Sequence, residues 1–356
     1  MVEWLAGNRI RGTSTERTST DFNAHLISPS VGGWKELGRT TLGSSNTNID
    51  VASLADKRYL MWLCNTDSSG AGNIGGANRV GNSTLDTGSN YSDRYSENGA
   101  SDATRVNRSS MSFNILADEE PRFYYGYISN IAGSEKLMQT WSTQQLTLGA
   151  GNPPNRGEWV GKWANTSNAV SRMTTTNTDT GTYDTGSEVV VLGWDPDDTH
   201  TTNFWEELAS VSGAGSSTTL SSGTITAKKY LWVQVYADTA TSACGFQFNN
   251  DTGANYSRRY NMNGGSDGAH LNHTSANISG NSPNVFINCF IINNSANEKL
   301  LMCNTVYAPA SGAGDDPERS EDYSKWANTS SQITESDVIK GSNWGTNSIL
   351  KVWGSN

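Results

Sequence analysis

Few residues in this sequence have the type and spacing that catalysis or metal binding requires. The four histidines, His25, His200, His270 and His273, fall in polar stretches, and the HLNH segment lacks the spacing and the cysteine partners of a zinc site. No GxSxG turn, phosphate-binding loop or nucleophile beside a base is present. The sequence therefore predicts a protein that is not an enzyme and that needs no metal and no cofactor.

Carboxylates at recurring positions are the remaining candidates for chemistry, because two opposed carboxyl groups hydrolyse glycosidic bonds in many enzymes. They are Glu36 and Glu207, Asp86 and Asp251, Asp102 and Asp267, and Glu135 and Glu298. None of these pairs has a further feature that marks it as catalytic. A separate acidic cluster at 195–198, close to His200, lies in a polar stretch, and we interpret it as a solvated linker rather than a metal site.

One motif is repeated almost intact, and other landmarks recur around it in the same order. DTGSNYSDRYSENGA at 86–100 returns as DTGANYSRRYNMNGG at 251–265, with 10 of 15 positions identical. The segments EKLM and KWANTS of the first half answer EKLL and KWANTS of the second. This order predicts a tandem duplication with an N-terminal arm at 1–33, a first domain at 34–197, a linker at 198–203 and a second domain at 204–356.

The repeated motif has three possible interpretations: a calcium loop that uses the oxygens of Asp86 and Asn90, a sugar platform built on the tyrosines, or a turn, a strand and a second turn. We favour the third, because calcium takes about 6–8 oxygen ligands and the Asn-Gly pair at 98–99 is typical of hairpins. The position that holds Asp93 in one copy holds Arg258 in the other. This change of charge argues against a ligand shared by both copies.

Short apolar runs with a period of two indicate the fold class. KYLWVQVYAD places Leu231, Val233 and Val235 on one face of a strand and aromatic or polar residues on the other. Turn-forming residues separate such runs, so we expect seven to ten strands per copy, and one short helix at SDVIKG or EEPRF. The sequence predicts an all-β protein made of two tandem β-sandwich domains that are jelly-roll-like.

Composition excludes several classes of protein. The net charge of −10 argues against a nucleic-acid partner, and no apolar run is long enough for membrane insertion. The N-terminus lacks the pattern of a signal peptide. Of the four cysteines, Cys64, Cys244, Cys289 and Cys303, we expect buried free thiols, with a disulfide between Cys289 and Cys303 as the alternative.

Aromatic residues supply the remaining candidates for binding. The arm is basic and has no second copy, so we expect Trp4, Leu5 and Ile10 to anchor it to an assembly partner; an unstructured tail is the alternative. Trp163, Trp326 and Tyr323 are candidate contacts to a glycan or receptor. Recurring tryptophans are more often core residues of sandwiches, and we favour that role for Trp163 and Trp326.

The combination of NNDTGANYSRRY, EKLL, KWANTS and SEVVVLGWDP resembles repeats in virion-associated β-sandwich proteins of tailed phages and related viruses. These are tail-fibre, head-fibre, turret or decoration proteins. The resemblance covers both copies and implies a structural, non-enzymatic role in a virion, with other virion proteins and further copies of itself as partners. Two alternatives stay open: a lectin-like adhesin that binds host glycans, and a subunit of an extracellular filament.

Overall fold

The computed structural model describes residues 3–5, 9–11, 33–70, 72–113, 121–145, 147–195, 198, 203–238, 243–278, 284–310 and 312–356. Within these ranges the chain is all-β, without a helix, and no segment there has the helical length and apolarity to cross a membrane. The predicted pair of tandem β-sandwich domains is confirmed. The first domain contains thirteen strands and the second contains twelve, which exceeds the seven to ten expected for each copy.

The strands are numbered in chain order. They are β1 Glu3–Leu5, β2 Arg9–Arg11, β3 Lys35–Thr41, β4 Asn48–Val51, β5 Tyr59–Thr66, β6 Ala77–Asn82, β7 Thr84–Leu85, β8 Tyr91–Glu97, β9 Ala103–Arg108, β10 Met111–Ser112, β11 Arg122–Ser129, β12 Lys136–Gln144, β13 Asn155–Trp163, β14 Arg172–Thr176, β15 Glu188–Trp194, β16 Glu206–Ser212, β17 Thr219–Ser221, β18 Tyr230–Asp238, β19 Cys244–Phe248, β20 Tyr256–Met262, β21 Gly268–His273, β22 Ala276–Ile278, β23 Asn284–Ile292, β24 Lys299–Ala308, β25 Glu318–Trp326, β26 Ser336–Lys340 and β27 Ile349–Ser355.

Each domain consists of a large eight-stranded sheet and a small sheet. The large sheets have the orders β3-β15-β5-β11-β12-β13-β8-β9 and β16-β27-β18-β23-β24-β25-β20-β21. The small sheets have the orders β10-β6-β14-β4, with β7 beside β6, and β17-β26-β19-β22. Apart from β7, which has no counterpart in the second domain, the two domains share one topology, as a duplication requires. Strands β1 and β2 form a separate antiparallel hairpin in the arm.

The core of each domain lies between its large and its small sheet. In β18 the alternate residues Leu231, Val233 and Val235 are buried in this core, as the period of two predicts. The side chains between them point to the opposite face of the large sheet, called here the outer face. The segment SDVIKG, expected as a helix, instead forms β26 in the middle of the small sheet, where Val338 is fully buried. Its β-branched pair, Val338 and Ile339, favours a strand.

The outer faces of the two large sheets pack against each other. A third apolar cluster forms there, separate from the two domain cores. Phe123 and Tyr125 of the first domain meet Tyr230 and Phe290 of the second, with ring centroids 6.2 and 4.5 Å apart. Phe204, from the segment between the domains, packs against Tyr230 within this cluster. The two sandwiches are thus joined by a continuous apolar interface.

The cysteines differ in part from the expectation of free thiols. Cys64 and Cys244 are free and buried, and burial raises the pKa of each thiol to about 12. Cys289 and Cys303 face each other on β23 and β24 and form a disulfide, so the alternative is the correct one for this pair. Their Cα atoms are 4.0 Å apart, because the two cysteines are directly opposed on neighbouring antiparallel strands.

The first domain fills the position of this disulfide differently. The matching pair there is Gly126 opposite Thr140, and the indole of Trp62 occupies the space beneath them. A Cβ on Gly126 would lie 2.5 Å from the Trp62 ring nitrogen, so a side chain cannot be accommodated. The second domain has Val233 in place of this tryptophan, which leaves room for the two sulfur atoms.

Candidate functional site

The repeated motif forms a structural network in both domains. The Asp86 carboxylate accepts hydrogen bonds from the backbone nitrogen of Gly88 (2.8 Å), the Asn90 amide (2.8 Å) and the Trp163 indole (2.7 Å). Burial alone would raise the pKa of Asp86, but these donors, the indole foremost, hold it below the ordinary value. The carboxylate that would serve as a calcium ligand is therefore already used within the protein.

The second copy repeats this network atom for atom. Asp251 accepts hydrogen bonds from Gly253 (2.9 Å), Asn255 (2.9 Å) and the Trp326 indole (2.7 Å). At the end of the same strand, Asn263 and the glycine after it both have positive φ, as the Asn-Gly hairpin signal predicts. The recurrence of the motif thus reflects a shared turn, strand and turn.

The EKLL and KWANTS landmarks are explained by a buried lysine. Lys299 donates hydrogen bonds to the carbonyl oxygens of Asn297 (2.8 Å) and Asn328 (2.7 Å), and its ammonium lies 5.7 Å from the ring centre of Trp326. Burial lowers the pKa of Lys299 to about 8, although the neighbouring Glu298 opposes this shift. Lys136 makes the same contacts in the first domain, and the two landmarks therefore mark a lysine bridge between two loops.

The three candidate glycan residues lie in the interior. Trp163 and Trp326 are 1% exposed in the two cores, and Tyr323 is 2% exposed at the interface between the domains. A sugar stacks on an exposed ring face, so none of the three offers such a surface. Their candidacy as glycan contacts is therefore corrected to roles in the core and the interface.

The arm residues Trp4, Leu5 and Ile10 belong to β1 and β2, where Trp4 is paired with Ile10. The surroundings of their side chains lie outside the described residues.

The position with opposite charges in the two copies is a buried ion pair in each. Asp93 receives two hydrogen bonds from Arg105, at 2.7 and 3.1 Å. Arg258, at the same position in the second domain, donates to Asp322 at 2.6 Å. The partner lies on β9 in the first domain and on β25 in the second. Each domain therefore neutralises its buried charge with a different partner, and no ligand is needed at this position.

A pair of carboxylates that sequence reasoning missed lies at the interface between the domains. Glu158 and Glu321 occupy the same position of the two copies, within hydrogen-bonding reach of each other. Arg156 contacts both carboxylates, at 2.5 and 3.3 Å, and also binds Asp267 at 2.8 Å. The conserved spacing from Glu158 to KWANTS and from Glu321 to KWANTS was the signal that could have found this pair.

The surroundings of Glu158 favour its protonated form. Burial, and then the proximity of Glu321, raise the pKa of Glu158 to about 7. Tyr323 donates a hydrogen bond to Glu158 at 3.1 Å. Because the two carboxylates contact a common arginine, which also binds Asp267 of the second domain, the arrangement holds the domains together.

The described residues provide no group of histidines, cysteines and carboxylates that could hold a metal ion. His270 and His273 stack on each other with centroids 4.7 Å apart, and His270 lies beside Arg258. Burial, and then the charge of Arg258, lower the pKa of His270. His25 and His200 lie outside the described residues.

An aromatic pocket of about 430 Å³ opens on the outer face of the first domain, beyond the interface. Tyr59 stacks on Trp194 with centroids 5.6 Å apart, and Trp34 lies 6.1 Å from Tyr127. Leu137 forms the adjacent wall and is 58% exposed. These five residues are called the aromatic pocket below.

A second exposed apolar surface lies on the outer face of the second domain. Ile349, Tyr236, Phe286 and Val306 are direct neighbours on β27, β18, β23 and β24. Each is 40–45% exposed. These four residues are called the apolar row below, and together with the aromatic pocket they are the candidate functional surfaces.

Comparisons with known proteins give no family. No protein-family model and no curated protein matches the chain. Among solved structures, the mouse laminin alpha1 chain, domains LG4-5, aligns with a TM-score of 0.18 and 10% identity over 88% of each chain. A FadL homologue of Pseudomonas aeruginosa aligns with a TM-score of 0.06 and 7% identity over 85% of this chain and 92% of that one. These scores are too low to bear on function.

Proposed function

We propose that this protein is a non-enzymatic structural component of a virion, of the fibre, turret, spike or capsid-decoration type. The observation that carries the proposal is the pair of exposed apolar surfaces on the outer faces of the large sheets. Neighbouring exposed apolar side chains of this kind are typical of protein contacts. The recurring polar residues that resemble a binding site are, by contrast, engaged in hydrogen bonds within each sandwich.

The N-terminal arm attaches the protein to the particle in this proposal. It precedes the first sandwich, has no copy in the second, and carries Trp4, Leu5 and Ile10 within a short hairpin sequence. Exposed strand hairpins and apolar anchors are common means of joining a subunit to its neighbour. The two sandwiches then project from the attachment point as one unit.

The test compares the full chain with a variant in which Trp4 and Ile10 are both changed to serine. Particles are purified from cells that produce the virus, and the amount of incorporated protein is measured by immunoblot. We expect at least a tenfold loss of incorporation while the soluble protein keeps the far-UV spectrum and the unfolding midpoint of the wild type. Normal incorporation of the variant would refute the role of the arm, and absence of the wild-type protein from particles would refute the virion role.

A lectin-like adhesin is the second candidate, and the aromatic pocket is the observation that favours it. The stacked rings of Tyr59 and Trp194 offer exposed aromatic surface of the kind that sugars bind. A glycan array with the full chain and with Tyr59→Ala tests this candidate. Specific binding by the wild type that the variant lacks would establish it.

A further inference from the structure

Beside the equivalent Glu158 and Glu321, the interface between the two domains of one chain also joins different parts of the two equivalent sheets. Tyr59, which lies opposite Ser129 and beside Trp194, occupies the position of Tyr230 in the second domain. Tyr230 is fully buried against the first domain, whereas Tyr59 is 38% exposed in the aromatic pocket. The second domain uses the Tyr230 region to bind the first domain. The equivalent region of the first domain, around Tyr59, stays exposed.

The converse holds for the apolar row. The strand register shows which residues of the first domain occupy the four positions of the apolar row. They are, in the same order, Glu188, Asn65, Phe123 and Thr143. All four first-domain residues are buried, and Phe123 and Glu188 contact Tyr230 directly. The first domain uses these four positions to bind the second domain. The equivalent positions of the second domain, the apolar row, stay exposed.

We propose that the apolar row of one chain covers the aromatic pocket of a second copy. This inference rests on the assembly role of the proposed function and names the surfaces that assemble. The contact between copies repeats the arrangement already present within one chain, because each surface occupies the same positions as one half of the internal interface. An interface between unlike surfaces either closes into a ring or continues as an open chain of subunits.

The chemistry of the two surfaces supports this pairing. The row contributes Phe286, Tyr236 and two aliphatic side chains, and the pocket is lined almost entirely by apolar atoms of its aromatic rings and Leu137. Aromatic side chains packed in an apolar pocket are the residues that dominate the energetics of protein contacts. Within one chain the equivalent positions are held by Phe123 and Tyr230, and these two rings are in contact.

The test uses the full chain with Phe286→Asp, Leu137→Asp or Leu271→Asp. The first two place a charge on the row and on the pocket. The third is the control, because Leu271 is 43% exposed on the edge strand β21, away from both surfaces. Sedimentation velocity over a range of protein concentrations gives the mass and the dissociation constant of self-association.

We expect the wild type and Leu271→Asp to self-associate, and Phe286→Asp and Leu137→Asp each to weaken self-association by about 30-fold or more. Each of these two variants keeps one intact surface, so their mixture should form a 1:1 complex that neither forms alone. All three replaced side chains are exposed, and the unfolding midpoint is measured to verify that each variant folds.

Three outcomes would overturn the proposal: a wild type that stays monomeric, association that both charged variants leave unchanged, or two variants that fail to complement each other. A wild type that binds glycans through Tyr59 and does not self-associate would assign the pocket to a sugar instead. The serine variants of the arm separate this inference from the proposed function, because they should lose incorporation into particles and keep self-association.

Discussion

The buried ion pair between Arg258 and Asp322 leads to a prediction about stability. The two side chains are 7% and 0% exposed, and their atoms are 2.6 Å apart. Replacing Arg258 by alanine removes the arginine that faces the Asp322 carboxylate, which stays in the interior and keeps its hydrogen bond with the Ser320 hydroxyl. Removal of one member of a buried pair costs about 3–5 kcal/mol, since the other charge stays buried after its counter-charge is lost.

The double variant Arg258→Ala with Asp322→Ala should be more stable than Arg258→Ala alone. It loses the attraction and some packing, but it no longer buries a carboxylate that has lost its arginine. The matched variant in the first domain is Asp93→Ala. Its partner Arg105 is 22% exposed and can turn toward water, so we expect a smaller loss of roughly 1–2 kcal/mol.

The measurement is urea-induced unfolding of the full chain, with hydrogen exchange of the β25 amides to assign the loss to the second domain. A destabilisation of 3–5 kcal/mol corresponds to a shift of the urea midpoint of roughly 1–3 M for a domain of this size. If Arg258→Ala costs less than about 1 kcal/mol, or if the effects of the two alanines simply add, the argument from a lost counter-charge is wrong.

Three further predictions concern the acid pair, the repeated aspartate and the disulfide. Glu158→Gln should make the stability of the interface less dependent on pH. The pKa of Glu158 is raised from 4.5 to about 7, so its contribution to the stability of the folded state is present below pH 4.5 and is lost as the pH rises through 7. Unfolding midpoints between pH 4 and 8 measure this difference. Asp86→Ala and Asp251→Ala should each cost about 2–4 kcal/mol, confined to their own domain, because each removes a carboxylate with three donors; exchange protection that falls in both domains at once would contradict this. Reduction of Cys289–Cys303 should destabilise the second domain by about 3 kcal/mol, the value for a closed loop of this length, and unfolding with and without reductant measures it.

Local sequence patterns predict much of the fold. The alternation in β18 and β23 gives both the strands and the face that enters the core, because a period of two follows directly from strand geometry. The Asn-Gly pairs predict the hairpins, since they tolerate positive φ at both central positions. The order of the landmarks predicts the duplication that the two sheet orders display.

Features that depend on distant contacts could not be read in this way. Whether Cys289 meets Cys303 depends on the register of β23 against β24, which no local pattern fixes. The burial of Trp163 depends on the aspartate that accepts its indole hydrogen bond, 77 residues earlier in the chain. The sequence does not predict that the outer faces of the two large sheets pack against each other. The aromatic residues that alternate along β18 suit an exposed surface and an interface equally well.

The Glu158 and Glu321 pair depends on both a local sequence pattern and a distant contact. Its recurrence is visible in RGEWVGKW and RSEDYSKW, yet the three residues between each glutamate and its KW segment all differ, which hides the match. Only the packing of one domain on the other brings the two carboxylates together.

The reversed charges at Asp93 and Arg258 have a consequence for how the chain folds. Two tandem copies with the same strand order can exchange strands during folding, and such misassembly is a common failure of repeated domains. If β8 took the place of β20, Asp93 would lie beside the buried carboxylate of Asp322; if β20 took the place of β8, Arg258 would lie beside Arg105. The first exchange buries two like charges and the second places two arginines side by side, so the reversal gives each strand a preference for its own domain and disfavours pairing of the wrong halves in the nascent chain.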